Sequence, residues 1–576
     1  MRSNMDLTSF KEVWVADFEF YAPDGEIPRP ICLVAIELKS GRKIIIWQDQ
    51  LLAMKEPPYS TGPDSLFVAF YASAELNCHL ALGWELPMYV LDLYVEYRNL
   101  TNGILTPKQC GLIPVCDRLG VSHISLREKE AGRSLAMRGT SFSNDEREKL
   151  LKYCESDVVA EVEVLKKMLP KIDLPCALHL RGRYMKAIAR MEFYGTPIDM
   201  TIYPKLKNQW SQVRANLVAE VDRDYGVYIG TTLKRSLFVN YLSNNRIIWP
   251  RHKSGALDLT KEVFKEMAAR YPQLGRLREL RKSLSSLTMN KLAVGSDGRN
   301  RCLLSPFGAI TGRNTPSSTK FIFGPAKWMR SLMKPKPGFG IAYIDYEKQE
   351  FGIAAALSGD TSMIAAYESG DPYMAFGKET GLIPPDGDKN SHSNERDFCK
   401  TTILGIQYGM SEHGLARKLG VSVLKARKLL DNHRKTYRRF WEWNEMLINR
   451  ALLDLKIESV FGWTLNVTKT PNLRSLGNFP MQSNGAEITR LACCMATEQG
   501  IRVCCSVHDA LLIEAPLEEL DAAVQQTQRI MEEAGSIVLD GFRLRTDVEI
   551  VRYPDRYRDK RETGMWDLVL KHLERT

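Results

Sequence analysis

Two pairs of residues within the first 160 positions are spaced so that each pair can lie on one face of a strand or helix, as a metal-dependent hydrolytic site requires. Asp17 and Glu19 lie two apart in EVWVADFEFY, a run rich in β-branched and aromatic residues. On a strand, residues two apart project from one face, so both carboxylates can share a cation. Tyr153 and Asp157 lie four apart in a segment with helical periodicity, and therefore on one helix face. Such oxygen ligands, with a hydroxyl to orient a water, suit two-metal phosphodiester hydrolysis.

A second pair of acids lies in the C-terminal half. Asp345 ends the apolar run FGIAYID, and His508-Asp509 separates two other apolar runs, the pattern of a tight hairpin with an acid at its tip. Two aspartates on neighbouring strands can hold two Mg²⁺ ions, which prefer carboxylates together with phosphate oxygens. Either aspartate alone is more commonly a turn residue, so the hypothesis depends on what lies between them.

Between these aspartates lies RDFCKTTILGIQYGMS, which has helical spacing. Residues four apart in this segment would lie on one helix face, and that face would hold Arg396, Lys400, Leu404 and Tyr408. Two cations followed by an aromatic ring suit a nucleoside triphosphate, although basic amphipathic helices without this function are common.

Taken in order, these motifs resemble those of family A DNA polymerases. DYEKQE resembles motif A, the basic helix motif B and VHDA motif C. Supporting segments follow the expected order, namely Thr311-Gly312-Arg313, Arg330, and Arg474 through Asn478 to Gln482. The resemblance runs from about residue 185 to the C-terminus and implies a template-directed DNA polymerase.

The resemblance also implies roles for individual residues. It implies two Mg²⁺ ions, with Mn²⁺ as a substitute, bound by Asp345, Asp509 and the backbone carbonyl of Tyr346. It implies deoxynucleotide contacts from Tyr346, Glu350, Arg396, Lys400, Leu404 and Tyr408, with Glu350 closing the space for a ribose 2′-hydroxyl. It implies DNA contacts from Arg313, Arg330, Arg474, Asn478, Gln482 and His508.

Several positions depart from the usual family pattern. Leu404 stands where Phe or Tyr is usual, Ala510 where Glu follows the motif C aspartate, and Tyr373 where His is frequent. Such divergence is typical of compact bacteriophage members, so we expect a polymerase that replicates phage DNA. We also expect no separate 5′ nuclease domain, because little sequence precedes Asp17.

The N-terminal motifs resemble a DEDDy-type 3′ to 5′ exonuclease, the proofreading domain of many DNA polymerases. The resemblance implies Asp17, Glu19, Glu75 and Asp157 as metal ligands and Tyr153 as a further catalytic residue, with two Mg²⁺ ions and a single-stranded DNA 3′ end bound. Asp92 aligns with a later acid of this family. Glu75 stands where the family has Asp, so the domain is either an active exonuclease or one that kept the fold with weakened activity.

Composition and charge agree with an intracellular enzyme that binds a polyanion. The chain has 576 residues, 44% of them hydrophobic, with a net charge of +10. Residues 1–170 hold 19 Lys and Arg against 24 acids, whereas the basic excess lies in the rest, especially in 251–300 and 411–440.

The twelve cysteines form no C-x-x-C, so we expect them to be reduced. No apolar run is long enough to span a membrane, and we expect a cytoplasmic monomer, in the host cytoplasm if phage-encoded.

These patterns predict an α+β multidomain protein. We expect an RNase H-like α/β exonuclease domain over 1–172, then a right-hand polymerase domain over 173–576. Within the latter we expect a thumb at about 200–300, a palm at about 301–375 and 456–576, and fingers at about 376–455. The partners would be primer-template DNA and dNTPs. Two other hypotheses are a noncatalytic DNA-binding factor, and an exonuclease whose polymerase domain serves as a clamp.

Overall fold

The chain folds into an N-terminal unit and a larger C-terminal unit. The computed structural model describes residues 6–139, 141–252, 254–285, 291–561 and 564–574. Lys253 and residues 286–290, which belong to the basic segment 251–300, lie outside the described residues. Both units combine helices with a β-sheet, so the expectation of a mixed α and β multidomain protein is confirmed.

The N-terminal unit contains a five-stranded sheet. Its strands are β1 (Glu12–Tyr21), β2 (Arg29–Glu37), β3 (Lys43–Trp47), β4 (Ser65–Ala69) and β5 (Tyr89–Asp92), in the order β3-β2-β1-β4-β5. Strand β2 is antiparallel to β1 and β3, whereas β4 is parallel to β1 and β5. Its helices are α1 (Gln48–Ala53), α2 (Ser73–Leu82), α3 (Leu93–Thr101), α4 (Leu112–Leu119), α5 (Leu126–Ala136) and α6 (Asn144–Met168). The acidic pair of β1 therefore lies on the central strand.

Helix α6 positions the second N-terminal pair. A capping box of Ser143 and Glu146 starts the helix, with each side chain accepting a backbone N–H of the other residue. The apolar side of α6 packs on β1 and β2. Because Tyr153 and Asp157 are one turn apart, both come to lie near the acidic pair of β1.

The C-terminal unit begins with a helical connection and a long excursion. Helix α7 (Leu174–Cys176) continues through a π-helical turn at Ala177–Gly182 into α8 (Arg183–Tyr194). Strand β6 (Thr196–Pro197) then pairs with β9 (Arg299–Asn300), and this ladder closes the excursion predicted as the thumb. The elements inside it are α9 (Tyr203–Asp222), β7 (Tyr228–Ile229), β8 (Thr232–Leu233), α10 (Arg235–Asn244), α11 (Lys261–Arg270) and α12 (Gly275–Ser285).

A four-stranded antiparallel sheet forms the centre of the C-terminal unit. Its strands are β10 (Phe339–Tyr346), β13 (Arg502–Val507), β14 (Ala510–Pro516) and β15 (Thr546–Arg552), in the order β13-β14-β10-β15. Nearby elements are α13 (Gln349–Ser358), α14 (Thr361–Glu368), β11 (Lys456–Glu458), β12 (Thr464–Asn466), α20 (Leu473–Glu498), α21 (Leu520–Val538) and α22 (Met565–Leu573).

A helical insertion separates β10 from the other strands of this sheet. It contains α15 (Pro372–Glu379), α16 (Ser393–Gln407), α17 (Glu412–Leu419), α18 (Val423–Thr436) and α19 (Arg438–Asp454). Helices α16, α17 and α18 share a small apolar core of their own, which includes Ile406, Leu415 and Leu429. The helix predicted over RDFCKTTILGIQYGMS is confirmed as α16 of this insertion.

The two units are packed tightly against each other. A β-carbon at Gly182 would lie 1.7 Å from the carbonyl oxygen of Val90 in β5, so only glycine allows this approach. Beside it, Arg181 and Glu96 form a buried ion pair with an N–O distance of 2.6 Å. Helix α2 also packs on α8. The N-terminal unit is thus joined to the rest by a shared core.

Among the described residues, every helix is too short or too polar to cross a lipid bilayer. All twelve cysteines are unpaired, and most are buried, which agrees with the expectation that they are reduced.

Candidate active sites

Asp345 and Asp509 lie side by side on the four-stranded sheet. Asp345 is the penultimate residue of β10 and pairs with Ala510 of β14. Asp509 lies in the two-residue turn that joins β13 to β14, and its carbonyl accepts the N–H of Tyr346 at 3.2 Å. The other turn residue, His508, has a φ of 58°, a backbone region that is strained for non-glycine residues and is often found at functional sites. The predicted hairpin with an acid at its tip is confirmed.

A third carboxylate stands next to this pair. Asp547 of β15 lies directly opposite Asp345 in the β10–β15 ladder, so both side chains project from one face of the sheet. It is exposed. Asp547 was not predicted from the sequence, because it belongs to no motif and because the register of β15 cannot be read from the sequence.

These carboxylates repel one another in a partly desolvated site. Burial, with the nearby charges of Asp509 and Asp547, raises the pKa of Asp345 to about 6. Burial also raises the pKa of Asp509. Asp345 and Asp509 offer carboxylate oxygens, the ligand type that a hard divalent cation such as Mg²⁺ or Mn²⁺ prefers, whereas the oxygens of Asp345, Asp509 and Asp547 do not all converge within 4.8 Å.

We predict that Asp345→Asn stabilises the metal-free protein at neutral pH. Folding raises the pKa of Asp345 from 3.8 to about 6, because the folded state disfavours the ionised carboxylate. The carboxyl therefore makes its full contribution to stability below pH 3.8, and this contribution is lost as the pH rises through about 6. Asparagine stays neutral. The variant should therefore gain about 1 kcal/mol at pH 7.5, allowing for solvent screening, and almost nothing at pH 4.

Urea unfolding of both proteins in EDTA at pH 4 and pH 7.5 measures this difference. Asp555→Asn, at an exposed site, is the control and should unfold like the wild type at both pH values. A wild type that is equally stable or more stable than Asp345→Asn at pH 7.5 would contradict the repulsion inferred for this site.

Helix α16 presents two cations beside one aromatic ring. Arg396, Lys400 and Leu404 lie on one face of α16, which ends at Gln407, so Tyr408 is its C-cap rather than part of the helix. The Arg396 guanidinium donates to the Asp371 carboxylate. The side chains of Arg396 and Lys400 both lie over the ring of Tyr373, at 5.4 and 5.9 Å from its centroid. The Tyr373 ring therefore supports both cations.

Glu350 connects three other predicted residues, two of them directly and the third through Tyr408. It lies in the first turn of α13, where its Oε2 accepts the hydroxyl of Tyr408. Its Oε1 lies 3.3 Å from Nη2 of Arg313. The Arg474 side chain in turn donates to the Tyr408 carbonyl. Residues that are far apart in sequence thus form one hydrogen-bonded group beside Asp509.

A polar face of α20 continues from this group. Arg474, Asn478 and Gln482 recur every four residues on the part of α20 that is not buried. A cavity of about 330 Å³ extends next to this face and to the hairpin, with Arg313, Asn314, Arg490 and His508 among its lining residues. The cavity brings together Arg313 and His508 of the predicted DNA contacts, and Arg330 adjoins it through a bond to the carbonyl of the lining residue Phe323.

Two arginines near the cavity are each paired with an acid. Arg330 pairs with Asp559, which is shared with Arg561, and donates to the Phe323 carbonyl at 3.1 Å. Arg490, which the sequence analysis missed, is buried, pairs with Glu487 and donates to the Gly312 carbonyl at 2.8 Å. It belongs to no predicted motif, and only the tertiary structure brings it to the cavity.

The N-terminal acids form a second cluster. Ligand oxygens of Asp17 and Glu19 on β1 and of Asp157 on α6 all lie within 4.8 Å of one another. Burial, and to a smaller extent the negative charge of Asp157, raises the pKa of Asp17 to about 7. Burial, and to a smaller extent the negative charge of Asp17, also raises the pKa of Glu19. Among the described atoms, Oδ2 of Asp17 is buried without a hydrogen-bond partner, which fits a position that a divalent cation would fill.

Helix α5 lies against this cluster. Its Lys129 bonds Asp157 with an N–O distance of 2.6 Å and lies 5.5 Å from the ring centroid of Tyr153. A β-carbon at Gly132, one turn later, would lie 2.5 Å from the same ring. The sequence analysis missed Lys129, because a lysine in the charged run REKE is usually solvated.

Glu75 does not join the group of three ligands. It lies in the first turn of α2, where its Oε2 accepts the N–H of Phe18 at 2.6 Å. Asp92 caps α3 and accepts the N–H groups of Tyr71, Ala72 and Val95, which gives it a structural role. Glu161, which the sequence analysis missed, is buried one turn beyond Asp157, and its Oε2 has no partner among the described residues.

Sequence comparison assigns the family. A sequence model of DNA polymerase family A matches residues 203–552, and the chain therefore belongs to DNA polymerase family A. The chain is 25% identical to DNA polymerase I of Chloroflexus aurantiacus over 430 residues, which cover 68% of this chain and 45% of that protein. It is 29% identical to the DNA polymerase of Mycobacterium phage D29 over 266 residues, covering 44% and 42% of the two chains.

Structural comparison supports the same fold. The POL domain of Pol1 from M. smegmatis, solved in complex with DNA primer-template and dNTP, superposes with a TM-score of 0.70. The superposition covers 95% of this chain and 96% of that chain at 17% sequence identity. At this identity the likeness shows the fold alone. The chain spans about half the length of the curated relatives it matches.

Proposed function

We propose that this protein is a template-directed DNA polymerase with a 3′ to 5′ exonuclease. One observation carries the first part of the proposal. In a member of family A, Asp345 and Asp509 stand side by side on the central sheet, and Glu350 near Asp509 bonds Tyr408, the C-cap of the helix that carries Arg396 and Lys400. A noncatalytic DNA-binding factor would have no reason to keep two repelling carboxylates in place.

The residues of the C-terminal site would divide the work of nucleotide addition. Asp345, Asp509 and the Tyr346 carbonyl would hold two divalent ions, which activate the primer 3′-hydroxyl and neutralise the leaving pyrophosphate. Arg396 and Lys400 would bind the triphosphate oxygens, where negative charge grows during the reaction. The Tyr373 ring beneath them would hold both side chains in place.

Minor-groove contacts would test the geometry of each new base pair. Arg313, Asn478 and Gln482 offer hydrogen-bond donors beside the hairpin, and the minor groove presents similar acceptors for every correct pair. These contacts would therefore register a misplaced pair without reading its sequence. The remaining basic residues of 251–300 would bind duplex phosphates.

We propose the N-terminal cluster as the exonuclease site. Asp17, Glu19 and Asp157 supply the oxygen ligands, and Tyr153 lies on the same face of α6 as Asp157. A single-stranded 3′ end would bind there, and its last phosphodiester would be hydrolysed. The Glu75 carboxylate accepts a hydrogen bond from the Phe18 amide and does not join the other three. The metal ions would therefore be bound by Asp17, Glu19 and Asp157, without Glu75 as a fourth ligand.

A bacteriophage origin is part of the proposal. The DNA polymerase of Mycobacterium phage D29 is among the relatives, and the departures at Leu404, Ala510 and Tyr373 set this chain apart from the usual motifs. The protein would then copy a phage genome.

A labelled primer on a longer DNA template tests both activities together. With Mg²⁺ and four dNTPs the primer should lengthen, and with Mg²⁺ alone it should shorten. Lengthening without shortening would support the polymerase activity and contradict the exonuclease activity. Shortening alone would favour the exonuclease with a clamp-like second domain.

We predict that Glu350→Ala raises ribonucleotide incorporation. The Glu350 carboxylate is fixed by Tyr408 and Arg313, so it would fill the space that a 2′-hydroxyl needs. Removing it should increase the ratio of rNTP to dNTP incorporation by roughly 100-fold, because one buried group can discriminate by a few kcal/mol. Single-nucleotide extension with each substrate measures this ratio.

Glu368→Ala, at an exposed acid near the end of α14, is the matched control and should leave the ratio unchanged. An unchanged ratio in Glu350→Ala as well would remove Glu350 from the sugar-binding position.

A further inference from the structure

We propose that Lys129 is a built-in counterion of the N-terminal acidic cluster and that a divalent ion must displace it. Lys129 would thereby set the metal concentration at which this cluster fills. The proposal rests on the exonuclease function proposed above, because it concerns the same carboxylates.

The position of Lys129 carries the proposal. Its ammonium bonds Oδ2 of Asp157, one of the three carboxylates whose oxygens converge. Among the described residues, no other lysine or arginine bonds Asp17, Glu19 or Asp157. The contact is built into the fold, since Gly132 lets α5 approach the Tyr153 ring closely, and a capping box of Ser125 and Glu128 fixes the start of α5.

The charge of the cluster explains why a counterion is present. Asp17, Glu19, Glu75, Asp157 and Glu161 are five acids gathered around β1, α2 and α6. Oxygens of Asp17 and Glu161 have no hydrogen-bond partner among the described residues. Buried negative charge without a partner is destabilising, and Lys129 offsets part of it in the metal-free protein.

The exposure of Lys129 allows it to be displaced. Its side chain is 29% exposed, whereas that of Asp157 is 10% exposed, so the ammonium can swing to water while the carboxylate stays. A divalent ion brings twice the charge and contacts several oxygens together. The ion and the ammonium therefore compete for the same carboxylate, and each weakens the binding of the other.

Binding of Mn²⁺ tests this competition directly. The full chain carrying Asp345→Asn and Asp509→Asn, which removes the aspartates of the other site, is titrated with Mn²⁺ while free Mn²⁺ is followed by electron paramagnetic resonance. Adding Lys129→Met should lower the dissociation constant by roughly tenfold, the effect expected for one partly exposed ion pair. Lys129→Arg keeps the charge and should stay near the parent value.

Lys149→Met is the matched control. Lys149 pairs with Asp145 at 2.6 Å on the same helix as Asp157, but both side chains are largely exposed, so its loss should leave Mn²⁺ binding unchanged. Thermal unfolding gives a second readout. Lys129→Met should melt lower than its parent without metal and show a larger rise when Mn²⁺ is added.

The outcomes separate this proposal from the proposed function. Unchanged or weaker Mn²⁺ binding in Lys129→Met would overturn the counterion role. Slower primer shortening at saturating Mn²⁺, measured in the same variant with the other site intact, would also overturn it, because Lys129 would then act on the substrate. If Asp17→Ala with Glu19→Ala leaves Mn²⁺ binding intact, the cluster is not the metal site and the exonuclease assignment itself fails.

Discussion

Asp345→Asn is expected to slow primer extension on the order of a thousandfold while primer shortening continues at the wild-type rate. The substitution keeps the shape of the side chain but removes the charge that would hold a divalent ion, and losing a ligand of this kind usually costs several kcal/mol of transition-state stabilisation. Shortening should persist because Asp17, Glu19 and Asp157 lie on a different sheet and helix. Rates of single-nucleotide addition and of primer degradation, followed on one gel, measure both.

Stability supports the interpretation of this variant. Since the Asp345 carboxyl is expected to destabilise the metal-free protein at neutral pH, the asparagine variant should be folded and inactive rather than unfolded. Asp555→Asn, an exposed acid of the same unit, is expected to extend primers normally. Loss of extension and shortening together in Asp345→Asn would contradict two separate sites.

The structure also suggests why local substitutions should stay local. The two units share a core in which α2 packs on α8, and the buried Arg181–Glu96 pair joins them. Asn102 of the N-terminal unit is buried and donates to the carbonyls of Ile310 and Thr464 at 2.7 and 2.8 Å. A conservative change of one carboxylate leaves all of these contacts in place.

The sequence predicted the elements whose residues are close together in the chain. Asp17 and Glu19 share a strand, Tyr153 and Asp157 share a helix, and the hairpin places Asp509 at its tip. In each case a local period or turn fixes which side chains share a face. Helix α16 was predicted for the same reason, because helical periodicity is a local signal.

The sequence could not predict contacts that depend on register or on docking. Asp547 stands beside Asp345 only because of the β10–β15 register, and Lys129 reaches Asp157 only because α5 docks on α6. Glu75 has the position of a ligand in the alignment, yet the structure turns its carboxylate to the Phe18 amide. Which partner a buried carboxylate takes depends on the tertiary structure around it, and no motif records that choice.

Asp17→Ala combined with Glu19→Ala is expected to reduce primer shortening on the order of a thousandfold and to leave extension unchanged. The double change removes two of the three converging ligands, so a divalent ion would lose most of its binding site. Burial and mutual repulsion raise the pKa of both carboxyls, so their removal should not destabilise the metal-free protein. Degradation of a labelled single strand with Mg²⁺, and extension of the same primer on a template, measure the two activities.

Asp49→Ala with Glu56→Ala is the matched control, because it removes two exposed acids from the same unit. This control should shorten and extend primers like the wild type. Because extension should survive in the cluster variant, it also reports that the protein is folded. Persistent shortening in the cluster variant would mean that the hydrolytic metal site lies elsewhere, and a parallel loss of extension would mean that the two units cannot be altered independently.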